Sequence, residues 1–338
     1  MSDPNNSSPR IVILGKSLAA PAMDMAASSG AQVVTSDRYM RGGELVDFIA
    51  LHKPDGVIVR LGEMTDAAMA AAPGLRIIAK HGVGYDTIDV AAAASRNIPV
   101  TIAAGANAIS VAEQAFALML GVARRVAHLD ARMRDGHWDK PHFLGTELYG
   151  KTLGIVGFGA IGRHLAGIGR GFGMKIVKYD PIDMEPSDLG EAVAANAEDL
   201  FARSDIVSLN CPLTPATRNM IGAPQLAAMK KGAILINTAR GGLVDLGALA
   251  IALRDGAIGG AGLDTFPFEP PELDAELRSL PNVVFSPHIG ASTVEAGERV
   301  GMLAMTQVLD CLAGRELDPA FVVSAAKPAA PPKLPSAA

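Results

Sequence analysis

The chain has 338 residues, of which 49 % are hydrophobic and 19 % charged, and its formal net charge is −5. That length exceeds one typical domain, and the composition is too apolar for a disordered chain. Thirty basic residues stand against 35 acidic ones with no basic run to concentrate the field, which argues against a nucleic-acid partner. The two cysteines, Cys211 and Cys311, have neither CxxC nor Cys/His spacing, so neither a disulfide framework nor a zinc site is expected. No apolar run approaches membrane length, and the opening MSDPNNSSPR lacks the apolar core of a signal peptide. The expectation is a cytoplasmic globular protein without metal or membrane contact.

In chain order, residues 1–9 read as a disordered lead. Short apolar runs then alternate with amphipathic stretches: Ile11–Leu14, Gln32–Thr35, Gly56–Leu61, Leu75–Ala79 and Pro99–Ile102 as strands, with helices such as Glu44–Leu51 and Ile88–Ser95 between them. Continuously apolar strands alternating with helices predict a parallel sheet covered on both faces. A long helix is predicted from Ser110 to about Asp135, its start marked by capping-box spacing in Ser110-Val-Ala-Glu113. Six further strands follow, at Thr152–Val156, Lys175–Tyr179, Ile206–Leu209, Ala233–Asn237, Gly259–Asp264 and Val283–Ser286, the number a dinucleotide-binding sheet requires. A last helix from about Val294 to Leu312, with Val300, Leu303, Val308, Cys311 and Leu312 on one face, is expected to return to the first domain. Residues 325–338, rich in Ala and Pro, cannot build a core.

The fold class that results is α/β, two doubly wound parallel-sheet domains of Rossmann or flavodoxin-like type with a cleft between them. The first domain comprises 10–106 plus 292–318 and takes substrate; the second, 107–291, takes the cofactor.

The cofactor reading begins at Gly157-Phe158-Gly159-Ala160-Ile161-Gly162, which follows a predicted strand and opens a predicted helix. Gly157 permits the tight turn, Gly159 lets a pyrophosphate approach the backbone, and Gly162 lets helix and strand pack closely. Asp180 ends the next strand at the spacing of a carboxylate that accepts from ribose hydroxyls. Its negative charge, with Asp183 and Glu185 nearby and no arginine directly following, would repel the 2′-phosphate of NADP and favours NAD.

Three downstream segments, NTARGGLVD (Asn237–Asp245), AGLDTFPFEP (Ala261–Pro270) and SPHIGAST (Ser286–Thr293), carry candidate chemistry. With HGVGYDTID (His81–Asp89), SVAE (Ser110–Glu113) and CPLTPAT (Cys211–Thr217), the chain from Ile11 to about Leu317 resembles the D-isomer-specific 2-hydroxyacid dehydrogenases, nearest their phosphoglycerate dehydrogenase and hydroxypyruvate reductase branch. Reducing a 2-oxo acid requires a cation for the carboxylate and a proton donor for the developing alkoxide. Arg240 can supply a bidentate guanidinium and His288 an acid of near-neutral intrinsic pKa. Glu269 would pair with His288 and favour the imidazolium. These three are the family's catalytic positions.

The resemblance further implies that the amides of Val83 and Gly84 face the substrate carboxylate, and that Arg60, with Lys80 close by, can reach a distal anion. It implies cofactor contacts at Gly157, Gly159, Ala160, Ile161, Gly162, Asp180, Cys211, Pro212, Thr217, Thr238, Ala239, Asp264 and Gly290. Asp264 would accept from the carboxamide, and Asn107 and Ser110 would lie near the nicotinamide. Where many relatives carry histidine, this chain has Asn210. The implied activity is reduction of a small 2-oxo acid such as hydroxypyruvate or glyoxylate by NADH, in a homodimer whose contact includes Gly136–Gly150 with Trp138. The competing readings are a 3-phosphoglycerate dehydrogenase and a nucleotide-sensing, corepressor-like binding protein.

Overall fold

In the computed structural model, residues 8–186 and 190–323 are described; of the expected tails at 1–9 and 325–338, residues 1–7 and 325–338 lie outside them. In chain order the elements are β1 (Arg10–Leu14), α1 (Ala20–Ser28), β2 (Gln32–Thr35), α2 (Gly42–His52), β3 (Gly56–Val59), α3 (Asp66–Ala70), β4 (Ile77–Lys80), α4 (Val90–Ser95) and β5 (Val100–Ile102). There follow α5 (Ala108–Ala123), α6 (Val126–Arg134), β6 (Thr152–Val156), α7 (Ala160–Gly171), β7 (Lys175–Tyr179), β8 (Ala192–Val193), α8 (Ala197–Arg203) and β9 (Ile206–Leu209). Then come α9 (Ala223–Ala228), β10 (Ile234–Asn237), a 3-10 turn at Gly241–Leu243, α10 (Leu246–Arg254), β11 (Gly260–Leu263), α11 (Ala275–Ser279), β12 (Val283–Phe285), α12 (Val294–Leu312) and β13 (Val322–Val323). Among the described residues no helix is long and apolar enough to cross a membrane.

The chain divides into two compact units, residues up to Asn107 with those from Ser292 onward, and Ala108–Ala291. In the first unit the strand order is β13-β5-β4-β3-β1-β2, parallel except for β13. Alternation along each strand splits the core into two layers. Val12, Leu14, Val57, Val59 and Ile78 face one layer, with Leu45, Ile49 and Met69 of the covering helices. Ile11, Ile13, Ile58 and Ile77 face the other, with Ala22 of α1 and Ala304, Met305 and Val308 of α12. The small residues Ala22 and Gly301 let these two helices approach closely.

Two boundaries differ from the sequence expectation here. Pro9 is anchored, its carbonyl accepting from Gln32 N at 2.8 Å, so order begins before residue 10. The unit also continues past 318, because β13 pairs with β5 and Ile102 N donates to Phe321 O at 2.9 Å. The first sheet therefore gains a sixth strand that pattern alone misses, since two residues are too short a run for alternation to register.

In the second unit the order is β12-β11-β10-β9-β6-β7-β8, all parallel. Its seventh strand, β8, is likewise a two-residue element at the edge. Leu153, Ile155, Ile206, Ile234 and Ile236 pack under α5 and α7 through Phe116, Leu118 and Leu165. Val156, Val207, Leu209, Leu235 and Leu263 pack on the opposite side against Leu200, Leu226, Leu249 and Leu253. The predicted single helix from Ser110 to Asp135 is two helices. Arg125 adopts φ +47°, a left-handed conformation that ends α5 and starts α6 in a new direction. Ser110 is buried inside α5, whose first residue is Ala108, so the Ser110–Glu113 spacing is not a capping box.

Candidate active site

The second unit places the fingerprint at the carboxyl end of its sheet, where open α/β sheets take ligands. Gly157, directly after β6, has φ +86°, and a Cβ there would lie 2.8 Å from the Asn210 carbonyl and Cys211 amide. At Gly162 a Cβ would stand 2.4 Å from Gly157 O, so the first turn of α7 lies flush on the strand end. Gly159, the residue capping α7, makes no side-chain cap and has open space where its Cβ would be. The helix thus offers uncapped amides and the positive end of its dipole to open space, as a pyrophosphate requires.

Asp180 follows β7. Its Oδ2 accepts from Phe158 N at 2.9 Å and its Oδ1 from Ile182 N at 3.0 Å, so the carboxylate is tied to the Gly-rich turn itself. Thr238, after β10, is buried, and its Oγ1 has no hydrogen-bond partner among the described residues. An orphaned hydroxyl at the same carboxyl end of this sheet fits a ligand that supplies polar atoms, such as a ribose. The open turn, the carboxylate and the orphaned hydroxyl together suit a dinucleotide.

Other predicted contacts are committed locally. Thr217 Oγ1 donates to Pro212 O at 2.7 Å and accepts from Thr214 N at 2.8 Å, closing the turn of CPLTPAT. Cys211 Sγ lies 3.7 Å from Met220 Sδ, and burial pushes its thiol up to about 11, leaving it a neutral packing group. Asn210 Nδ2 donates to Ser208 O and Oγ, while its buried Oδ1 has no partner among the described residues.

Arg240, Glu269 and His288 all come from loops at this same sheet edge, after β10, β11 and β12 respectively. His288 Nδ1 lies 2.7 Å from Glu269 Oε2. An ionised Glu269 fixes the proton on Nδ1 and leaves Nε2 as the exchanging nitrogen. Glu269 is aimed by Phe266 N, which donates to its Oε1 at 3.1 Å. His288 has φ +54° and is about half exposed, with its own amide donating to Asp264 O and Ser286 O.

Asp264 follows β11. It is 1 % exposed and serves the histidine loop: Oδ1 accepts from Ser286 Oγ at 2.5 Å and Ile289 N at 3.0 Å, and Oδ2 from Gly290 N at 2.9 Å. Gln114 of α5 donates to Ser286 Oγ at 3.0 Å and completes the network. Gly290 therefore enters through its amide to Asp264.

Three features of the site escape sequence reasoning. Asn237, buried at the end of β10, donates through Nδ2 to Arg240 O at 2.9 Å and accepts from Ala239 N at 3.1 Å, shaping the arginine loop. Gln114 and Ser286 brace the histidine loop. At Gly241 a Cβ would fall 1.9 Å from Phe266 C and 2.3 Å from Phe266 Cα, so the arginine loop lies directly on the backbone that positions Glu269. Asn237 stands inside the NTARGG motif, and its neighbours were its only signal. Arg240 Nη1 donates to Ala239 O at 2.7 Å, holding the side chain along its own loop.

In the first unit, Val83 and Gly84 follow β4, and their amides donate to no acceptor among the described residues. Arg60 follows β3, and its Nη1 donates to Ser17 O and, at 3.3 Å, to Lys16 O. His81 lies between these features. Burial, with the Arg60 and Lys80 charges, pushes it down from 6.5 to about 4, so its ring is neutral at physiological pH.

Comparison with known proteins agrees with this geometry. Residues 116–290 match the family described as D-isomer specific 2-hydroxyacid dehydrogenase, NAD binding domain. The chain is 44 % identical over 263 residues to a D-3-phosphoglycerate dehydrogenase of Methanocaldococcus jannaschii, covering 77 % of this chain and 50 % of that one. It is 44 % identical over 272 residues to a hydroxypyruvate reductase of Thermotoga maritima, covering 80 % and 87 %. A glyoxylate reductase structure from Paecilomyes thermophila superposes with a TM-score of 0.84 at 30 % identity, over 95 % of this chain and 99 % of the other. The chain thus spans about half the length of the phosphoglycerate dehydrogenase it matches and most of the two reductases. An NAD-binding Rossmann unit carrying the paired histidine and glutamate, matched across most of its length by such relatives, places this chain in the D-isomer specific 2-hydroxyacid dehydrogenase family.

Proposed function

We propose that this protein is an NAD-dependent 2-oxo acid reductase acting on small substrates such as hydroxypyruvate or glyoxylate, the reverse reaction being oxidation of a D-2-hydroxy acid. The observation that carries this reading is the 2.7 Å Glu269–His288 pair on the sheet edge that also bears the dinucleotide turn. Gly157, Gly159, Ala160, Ile161 and Gly162 would hold the pyrophosphate, Asp180 the adenosine ribose, and Thr238 and Ala239 the nicotinamide ribose. The cofactor, when bound, would supply a hydride as NADH in reduction and accept one as NAD+ in oxidation.

His288 Nε2 gives its proton to the developing alkoxide, or takes it back in the oxidative direction. Glu269 stabilises the imidazolium that exists before proton transfer in reduction and after it in oxidation, and holds the ring so that Nε2 stays available. Arg240 engages the substrate carboxylate with a planar, two-donor face. The unengaged amides of Val83 and Gly84 would suit a carboxylate of the substrate, whose negative charge fits backbone N–H donors.

A second reading, a phosphoglycerate-type substrate with a distal anion, draws on the basic groups Arg60 and Lys80, whose charges depress His81. One panel tests both: NADH oxidation with hydroxypyruvate, glyoxylate, pyruvate, 3-phosphohydroxypyruvate and 3-sulfopyruvate. Turnover of the first two, unaffected by Arg60→Ala, supports the small-substrate reading. Selective loss on the doubly anionic members supports the second. Binding of NADH with no turnover of any member would overturn both and favour a nucleotide-sensing role.

We also propose a homodimer in the cytoplasm. Met133, Trp138, Leu144 and Tyr149 of the second unit are all exposed, Leu144 at 95 %, and such apolar residues are suited to a partner copy. Sedimentation of the wild type and Trp138→Glu checks this, with a monomer expected for the variant.

A further inference from the structure

Next to the cofactor turn lies a charged cluster to which the mechanism above gives no task. Lys178 of β7 is fully buried. It shares a sheet face with Ile176, which packs in the apolar layer under α7, so an aliphatic side chain would be the ordinary occupant. Instead the Lys178 ammonium lies 3.1 Å from Asp183 Oδ2 and 3.5 Å from Glu191 Oε1, with no aligned hydrogen-bond partner among the described residues. The Glu191 side chain is also fully buried, with Arg170 Nη2 4.0 Å from it.

Asp183 is shared. Arg163, in the first turns of α7, donates through Nη2 to the same Oδ2 at 2.6 Å. Both cations also stand over the ring of Phe158, Lys178 Nζ at 4.8 Å and Arg163 Cζ at 5.0 Å from its centroid. Phe158 is the residue whose amide donates to Asp180. One network therefore joins the Gly-rich turn, the start of α7 and the segment that carries Asp180.

A buried ammonium is costly unless carboxylates neutralise it, and its uncompensated partners would be costly in turn. Such clusters contribute little net stability but fix one arrangement of charges. Two opposite charges are thus linked to Phe158 of the Gly-rich turn: the Asp180 carboxylate, which would accept from a free 2′-hydroxyl, and the Arg163 guanidinium, which would suit a 2′-phosphate if released from Asp183.

We propose that Lys178 is a positioning residue for cofactor selectivity: it pins Asp183, Asp183 holds Arg163, and the ribose end is left to Asp180, so that NADH is taken and NADPH refused. This rests on the dinucleotide reading of the site given above.

The test is calorimetric binding of NADH and NADPH to the full chain, wild type against Asp183→Asn, Asp183→Asn/Arg163→Gln, Lys178→Met and Lys178→Arg, with thermal midpoints recorded to follow folding. Asp183 is partly exposed, so its amide variant is compatible with folding even where Lys178→Met is not. The expected result is that Asp183→Asn tightens NADPH at least about tenfold while NADH changes less than about threefold, a gain abolished in the double variant. Lys178→Met should shift the ratio the same way and Lys178→Arg should restore it, which a purely structural role would not do.

An NADPH-to-NADH ratio in Asp183→Asn within about twofold of wild type would overturn the proposal, as would a gain that survives loss of Arg163. A wild type that binds both dinucleotides equally would overturn it alone. A wild type that binds neither would overturn the dinucleotide reading as well.

Discussion

Replacing Gly241 by alanine isolates the coupling between the two catalytic loops. The added methyl would sit 1.9 Å from Phe266 C and 2.3 Å from Pro267 N. Ordinary carbon contacts begin near 3.4 Å, so the loops must part by about 1.5 Å. Gly241 is not among the residues with positive φ, so the methyl adds crowding and no torsional strain. Both neighbours are backbone, which cannot swing aside as a long side chain can. Overpacking of this kind costs about 1–3 kcal/mol of stability, and the shift moves Arg240 relative to Glu269, whose carboxylate is aimed by Phe266 N. A 1 Å misplacement of a positioning element costs about 100-fold in rate, so turnover of the best panel substrate should fall by about that factor. The Gly157–Gly162 turn is untouched, and NADH affinity should stay within about threefold of wild type. Steady-state NADH oxidation at saturating cofactor reads the first quantity and calorimetry the second. A Gly241→Ala protein that folds and turns over within about threefold of wild type would refute the claim that this contact sets the catalytic geometry.

Three further outcomes follow from the same structure. His288→Ala should lower turnover by about 100- to 10,000-fold, and Glu269→Gln, which keeps a hydrogen-bond acceptor but loses the charge, by less; the double variant should fall well short of the product of the two, because they act as one unit. Asp264→Asn places an amide donor among three donors, Ser286 Oγ and the Ile289 and Gly290 amides, and should destabilise by about 3 kcal/mol in denaturant unfolding while misplacing His288. His81 gives a pH signature. Its ring refuses a proton until about pH 4 in the folded chain but accepts one near 6.5 when unfolded. Stability is therefore full above pH 6.5 and falls as pH drops from 6.5 towards 4, by about 2–3 kcal/mol once partial solvent exposure is allowed for. Urea unfolding at pH 7 and 4.5 should show that loss in the wild type and a smaller one in His81→Gln; equal losses in both would contradict it.

Much of this protein is written locally. Runs such as GVIV and ILIN are apolar on both faces, and such strands belong in a parallel sheet between helix layers wherever they occur in a chain. The Gly157–Gly162 spacing states its own geometry, because only glycine tolerates a carbonyl 2.4 Å from where a Cβ would be. The motifs of Arg240, Glu269 and His288 all fall on loops at the carboxyl end of one sheet, after β10, β11 and β12.

Tertiary contact decided what local pattern could not express. Arg125 broke a continuous helical periodicity through a backbone conformation that no residue pattern announces. β8 and β13, two residues each, exist because neighbouring strands offer them unpaired backbone groups. Asp264 lies just past the end of β11, and its carboxylate serves the Ser286–Gly290 loop, a partner choice set by residues more than 20 positions away. Lys178, one residue of a predicted strand, is buried against two carboxylates in the fold. Periodicity reports which face of an element is apolar; which charge meets which across the chain depends on distances that exist only after the sheets have formed.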